Sequence, residues 1–290
     1  MFRTAGWWLF LAACGSSAAP AAPVAAPARA PIALTYLGVA GWQLEAAGKI
    51  VISDPYLSRP ASADAPLVPD AAAIAAHTPA HADLVLVGHS HHDHLLDAPS
   101  VALRTGAPLL GSVSTIRVGR ASGLDDDHLL AVTGGEDLTF AGFSVRAIPS
   151  LHSRVGDRWL GGDIAADPKL PMPAAQYREG GTLAYLIRIA GREVLVLDTA
   201  NFVERELAGL RPEIAIVAPG LREKIHDYTC RLLHALGDPP VVIATHFDDW
   251  HGAPVDAPPS ADLAAFGDEV HACAPRTRFV IPHHFERMTF

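Results

Sequence analysis

An α/β fold is predicted for this chain by three observations. Short apolar runs recur along it, stretches with helical spacing alternate with them, and nearly every run ends in a His/Asp cluster. The first run, residues 50–53, precedes Asp54, and the second, 84–87, precedes His89. Residues 145–148 precede His152, 194–197 precede Asp198 and 241–244 precede His246. Residues 279–281 precede His283 and His284. Unbroken apolar runs of this length read as strands covered on both faces. Helices are expected at 98–105, 114–122, 201–209 and 226–236, and strands alternating with helices make an α/β sheet. In such folds ligands gather beyond the carboxyl ends of the strands, which is where the polar clusters fall.

Composition narrows the function classes. The chain has 290 residues, half of them hydrophobic, so a sizeable core can form. With 31 acidic against 22 basic residues its formal charge is -9, which argues against a nucleic-acid partner, whose phosphates need a basic footprint. No break in composition divides residues 32–290, which read as one domain. Residues 153–181 are rich in Gly and Pro and poor in periodicity, and their start beside His152 suggests a flap over a site.

The N-terminus reads as an address. Arg3 is followed by an apolar run, residues 7–13, too short to span a bilayer and shaped like a signal peptide. Leu11-Ala12-Ala13-Cys14 matches the lipobox of bacterial lipoproteins. Residues 1–14 are therefore expected to be a signal segment ending at a lipidated Cys14, with the protein held on a membrane facing the periplasm or cell exterior. Residues 15–31, poor in bulky apolar side chains and repeating Pro, read as a semi-extended tether. Cys230 and Cys273 are open between a disulfide and two buried thiols, since pairing cannot be read from sequence.

The chemistry sits in Val87-Gly88-His89-Ser90-His91-His92-Asp93-His94, an H-x-H-x-D-H pattern directly after an apolar run. Spacing of two along extended chain points His89 and His91 the same way, while Asp93 and His94 turn toward a second position. One segment can thus offer two imidazoles to one ion and a carboxylate with an imidazole to another, a donor set that suits zinc. Asp54 is expected to orient a ligand imidazole through its second nitrogen.

This segment resembles the signature of the metallo-β-lactamase superfamily, as do residues 35–42 and Asp54-Pro55 its opening strands. The resemblance implies a four-layer αββα sandwich with the site between the ends of its two sheets. It also implies two divalent ions, zinc first, with manganese or iron as alternatives. His89, His91 and His152 would hold one ion, and Asp93, His94 and His246 the other, with Asp198 bridging. His251 is a weaker competitor to His246 for the last place. A protein proton donor to the leaving group is not obligatory; His283 or His284 would be the candidates, with His226 read as an ordinary surface or helix-end histidine. A hydroxide shared by the ions, oriented by Asp93, would cleave an ester, lactone or phosphodiester bond of a small-molecule or lipid substrate. A bridging Asp is unlike the true β-lactamases, and the opening strands look most similar to the ascorbate-6-phosphate lactonase and N-acylphosphatidylethanolamine phospholipase D groups. Two alternatives remain on the same fold, an iron-dependent oxidoreductase or dioxygenase and a catalytically silent binding protein.

Overall fold

Alternate side chains along the apolar runs separate into different cores, and that period of two builds the layers. The computed structural model describes residues 1, 29–62, 64–156, 160–251 and 262–290. Cys14 and the tether up to residue 28 lie outside them. One sheet has the order β14 (Arg287–Thr289), β1 (Ala33–Gly38), β2 (Gly41–Ala46), β3 (Lys49–Ser53), β4 (Leu84–Leu86), β5 (Leu109–Gly111), β6 (Leu129–Ala131). The other runs β13 (Arg278–Val280), β12 (Val241–Ala244), β11 (Ile214–Val217), β10 (Arg192–Leu197), β9 (Leu183–Ile189), β8 (Phe143–Pro149), β7 (Asp137–Phe140). Each sheet begins as an antiparallel meander and continues as parallel strands, from β3 in the first and from β10 in the second.

Leu84 and Leu86 of β4 join Val194 and Val196 of β10 in a core between the sheets. Val85, between the two leucines, faces the opposite way. It packs with Val101 of α3 (Ala98–Thr105) and Val118 of α4 (Val113–Ala121). Leu195 and Leu197 likewise face Leu232 of α6 (Tyr228–Ala235) and Phe266 of α7 (Leu263–Cys273). Three apolar layers between four structural layers make the αββα sandwich that the signature implied. They also explain why the parallel strands read as unbroken apolar runs: both their faces are covered.

The helices at 98–105, 114–122 and 226–236 form within two residues of those bounds, but 201–209 shrinks to the single turn α5 (Glu204–Leu207). Two helices longer than a single turn had no expectation. Asp70 caps α1 (Ala71–His77), accepting from the backbone of Ala72 and Ala73, but its alanine-rich body shows no apolar stripe. In α7, Gly267 interrupts the helix-forming sequence, yet a Cβ there would stand 2.9 Å from the Phe279 ring, so the glycine lets the helix close onto β13. Cys230 and Cys273 pair as a disulfide joining α6 to α7. The chain is tied to the sheet from residue 30, where the Ala30 N–H donates to the Ala190 carbonyl at 3.2 Å. No helix among the described residues is long and apolar enough to cross a membrane.

Candidate metal centre

Every strand that carries a candidate ligand delivers it at its carboxyl end. After β4 the chain bends at Gly88 and His89, is extended again at His91, and then turns into the one-turn helix α2 (His92–Leu95), with His91 at its N-cap position. This change of conformation separates the motif into two halves, with His89 and His91 before the turn and Asp93 and His94 within it. Buried Leu95 and Leu96 hold the turn to the protein. The end of β8 brings His152, the end of β10 Asp198, and the end of β12 His246. Their donor atoms form three overlapping groups: His89, His91 and His152; His89, His94 and Asp198; Asp93, His94 and His246. All seven residues therefore converge, with His94 and Asp198 at most 1% exposed.

Four imidazoles have one nitrogen already committed. His89 donates from Nδ1 to Asp198 Oδ2 at 2.7 Å, and His94 from Nδ1 to Asp54 Oδ1 at 3.1 Å. His91 donates from Nε2 to the Leu160 carbonyl at 3.3 Å, and His152 from Nδ1 to the Ser153 carbonyl at 2.9 Å. With those protons placed, His89 Nε2 and His91 Nδ1 are both bare lone pairs, yet they face each other at 3.1 Å. Two acceptors at this separation repel unless a cation lies between them. Zinc takes imidazole nitrogen at ~2.0–2.1 Å, which sets two such ligands roughly 3 Å apart. His94 Nε2 and Asp198 Oδ1 are buried with no hydrogen-bond partner, another deficit that a cation would fill. The carboxylates of Asp54, Asp93 and Asp198 make their ion pairs, among the described residues, with histidines only. Burying three carboxylates without a matching cation is costly. The residues fit a bound divalent metal.

Titration behaviour agrees. Burial and the neighbouring imidazoles hold His89 well below the ordinary histidine range, and burial does the same to His94 and, less strongly, to His91 and His152. Neutral imidazole is the form that binds metal. Burial would raise Asp93, but the His94 and His246 rings beside it outweigh burial and hold it well below the carboxylate range. Burial pushes Asp198 up to about 7. Asp54 stands well above its usual range, from burial and then from the Asp198 charge.

The backbone around the centre is shaped for close approach. A Cβ on Gly88 would lie 2.2 Å from Asp198 Oδ2, so only glycine leaves that carboxylate its place. The Gly88 N–H donates to Asp54 Oδ1 at 2.8 Å, so Asp54 braces both the motif strand and His94. Val39, Asp54, Arg59 and His246 all hold positive φ, costing ~1–3 kcal/mol each unless the surroundings fix them. The surroundings do so. The Val39 carbonyl accepts from the His246 N–H and the Thr245 hydroxyl, while buried Asp248 accepts from the Val39 N–H, the Tyr36 hydroxyl, Arg59 and His284.

This last cluster corrects one expectation. His284 Nε2 is 2.8 Å from Asp248 Oδ2 in that network, and neither it nor His283 lines the pocket, so the structure does not bring either to a leaving group. His251 is exposed and paired with Asp249, away from the ligand groups, and His226 is exposed outside the pocket lining. The Asp248 cluster and the Leu160 and Ser153 carbonyls had no sequence signal, because carbonyls leave none and Asp248 belongs to no spaced motif. The segment after His152 does reach the site. Ser153, Val155 and Leu160 line a cavity of about 770 Å³ that opens over His89, His91, Asp93, His152 and His246. Its later part is fixed to the motif, where the Ser90 N–H donates to the Glu179 carbonyl at 2.7 Å.

Comparison with known proteins agrees with this fold. Residues 33–166 match the model of the beta-lactamase superfamily domain. A UPF0173 metal-dependent hydrolase of Thermoplasma volcanium is 28% identical over 63% of this chain and 74% of its own length. The structure of Igni18, a metallo hydrolase from the archaeon Ignicoccus hospitalis, superposes with a TM-score of 0.64 at 20% identity, covering 90% of this chain and 98% of the other. CmlA, a diiron β-hydroxylase from Streptomyces venezuelae, shares the fold with a TM-score of 0.59 at 17% identity, over 89% of this chain and 54% of CmlA.

Proposed function

We propose that this chain, which belongs to the metallo-β-lactamase superfamily and is a metal-dependent hydrolase, uses two divalent ions to cleave an ester, lactone or phosphodiester bond. His89, His91 and His152 would hold one ion, Asp93, His94 and His246 the other, and Asp198 would be shared between them. Such ions supply Lewis acidity, which makes a hydroxide-like nucleophile from water near neutral pH and polarises the attacked bond. The protein's own groups do the rest. Asp93, 13% exposed in the pocket lining and held ionised, would accept a hydrogen bond from the attacking water and orient it. Asp54 and the Leu160 and Ser153 carbonyls fix the rings of His94, His91 and His152, so no reorganisation is needed when substrate arrives. The observation behind this reading is the pair of bare nitrogens, His89 Nε2 and His91 Nδ1, facing each other at 3.1 Å beside the unpartnered Asp198 Oδ1.

Turnover tests it. The protein is assayed on a phosphodiester, a phospholipid, a lactone, a thioester and a β-lactam, with and without chelator. Chelator-sensitive hydrolysis of one class, restored by zinc or manganese, is expected. Oxygen consumption without hydrolysis would favour the oxidoreductase reading, for which the likeness to CmlA offers a precedent in fold alone. A metal-loaded protein with neither activity would favour the silent binding protein. The lipobox supports an exported chain anchored through Cys14, tested by incorporation of labelled fatty acid into wild type and its loss in Cys14→Ser.

A further inference from the structure

The metal centre occupies one end of the cavity, and the remainder faces whatever the substrate carries beyond its reacting bond. Val155, Leu160, Ala218, Pro219, Leu221 and Trp250 make the apolar part of that wall. Trp250 is 39% exposed, and its ring stands edge-on to His246 with centroids 6.1 Å apart, at the junction of cavity and metal centre. An exposed tryptophan beside a catalytic centre is costly to leave in water and useful for covering an apolar ligand.

The charged part of the wall is largely self-neutralised. Arg222 donates from Nε to both Glu269 oxygens, at 3.1 and 3.0 Å, and from a second nitrogen to Oε1 at 3.0 Å. Its guanidinium also lies 5.3 Å from the Phe266 ring, and its side chain is only 11% exposed. The Thr229 hydroxyl donates to the same carboxylate. Held this way, Arg222 offers no fork to a substrate anion. Lys224 is the other cation of the wall, against the acids Glu223, Asp262 and Glu269, so away from the metal centre the cavity leans negative.

We infer that the substrate bears an uncharged, apolar arm, alkyl or acyl, extending from the metal centre along the loop after β11 to Trp250. The inference rests on the hydrolase reading for the reacting bond, but not for binding of the arm. A cavity of about 770 Å³ suits it, lying within the ~300–1,000 Å³ typical of small-molecule sites.

Two measurements test it on the full chain. The first is kinetic, with metal-loaded enzyme and two homologous series, 4-nitrophenyl acyl esters from acetyl to octanoyl and alkyl 4-nitrophenyl phosphodiesters from methyl to octyl. In the series that turns over, kcat/KM is expected to rise up to about fourfold per methylene, the factor for burying one CH2, until the cavity is filled. The 4-nitrophenyl monoester of succinic acid, with a charged arm, is expected at least tenfold below the butyryl ester. Trp250→Ala is expected to lower kcat/KM for the longest substrate more than for the shortest. The second is calorimetric titration with octanamide and with succinamate, before and after chelator. Octanamide should bind in both conditions, more weakly to Trp250→Ala, and succinamate should not. A flat chain-length profile, or succinamate binding as well as octanamide, overturns the inference while leaving hydrolysis intact. Octanamide binding without turnover of any series keeps the arm site and removes the hydrolase reading.

Discussion

Gly88→Ala places one methyl group at the point where the fold has left no room. The new Cβ would stand 2.2 Å from Asp198 Oδ2 and 2.6 Å from its Cγ. Carbon and carboxylate oxygen need more than 3 Å, so Asp198 must retreat by roughly 1 Å or the β4 strand end must shift, an overpacking cost of ~1–3 kcal/mol. Either movement stretches the 2.7 Å bond from His89 Nδ1 to Asp198 Oδ2, which fixes the ring whose Nε2 would face a bound metal. Disturbing a group that orients a metal ligand lowers affinity ~10–100-fold, or ~1.4–2.7 kcal/mol. The assay is competition for zinc against a chromogenic chelator, with thermal unfolding alongside. The expected result is a 10–100-fold weaker zinc Kd and a Tm lower by ~2–12 °C, at about 2–4 °C per kcal/mol for a domain of this size. A variant with unchanged zinc affinity and Tm would refute the idea that Asp198 is held in van der Waals contact with the motif strand.

Asp54→Ala removes the one oxygen that accepts from both His94 Nδ1 and the Gly88 N–H, so zinc affinity should fall ~10–100-fold, as chelator competition would show, with circular dichroism checking that the fold persists. Cys230→Ser opens a loop of 43 residues, and loop-closure entropy gives a loss of about 4 kcal/mol, read by urea unfolding under non-reducing conditions. An unchanged midpoint would mean that α6 and α7 hold together without the bond. Burial would raise Asp248, but His284, Arg59 and Tyr36 hold its carboxyl below the usual range. In the pH range below about 3.9 the unfolded chain takes up that proton before the folded one does, so this stabilisation is present above about pH 4 and is lost as pH falls through the folded value. The Tm difference between wild type and Asp248→Asn should shrink below pH 4, and a difference constant down to pH 3 would contradict it.

The candidate metal ligands were legible as a group because each combines a residue type with a place at a strand end. His89 to His94 follow a run covered on both faces, and Asp198 and His246 follow two more. What orients them was only partly legible. Asp54 could be read, since it is a carboxylate after a strand, and it does hold His94. Leu160 and Ser153 act through backbone carbonyls, and nothing about a leucine or a serine announces that. His283 and His284 misled because they also follow a strand. β13, however, is the outermost strand of its sheet, and the chain beyond it folds back toward β1, where His284 meets Asp248 instead of the pocket. The four layers came from the signature. The order of strands within each sheet did not, because pairing depends on which apolar faces meet across the core.

Metal stoichiometry after zinc loading and desalting, read by plasma emission spectrometry on wild type and on His89→Ala, bears most directly on the proposed centre. Two zinc ions per chain in the wild type and fewer than two in His89→Ala are predicted. A wild-type chain that is folded and retains no metal after loading would contradict the proposed centre and the hydrolytic chemistry built on it.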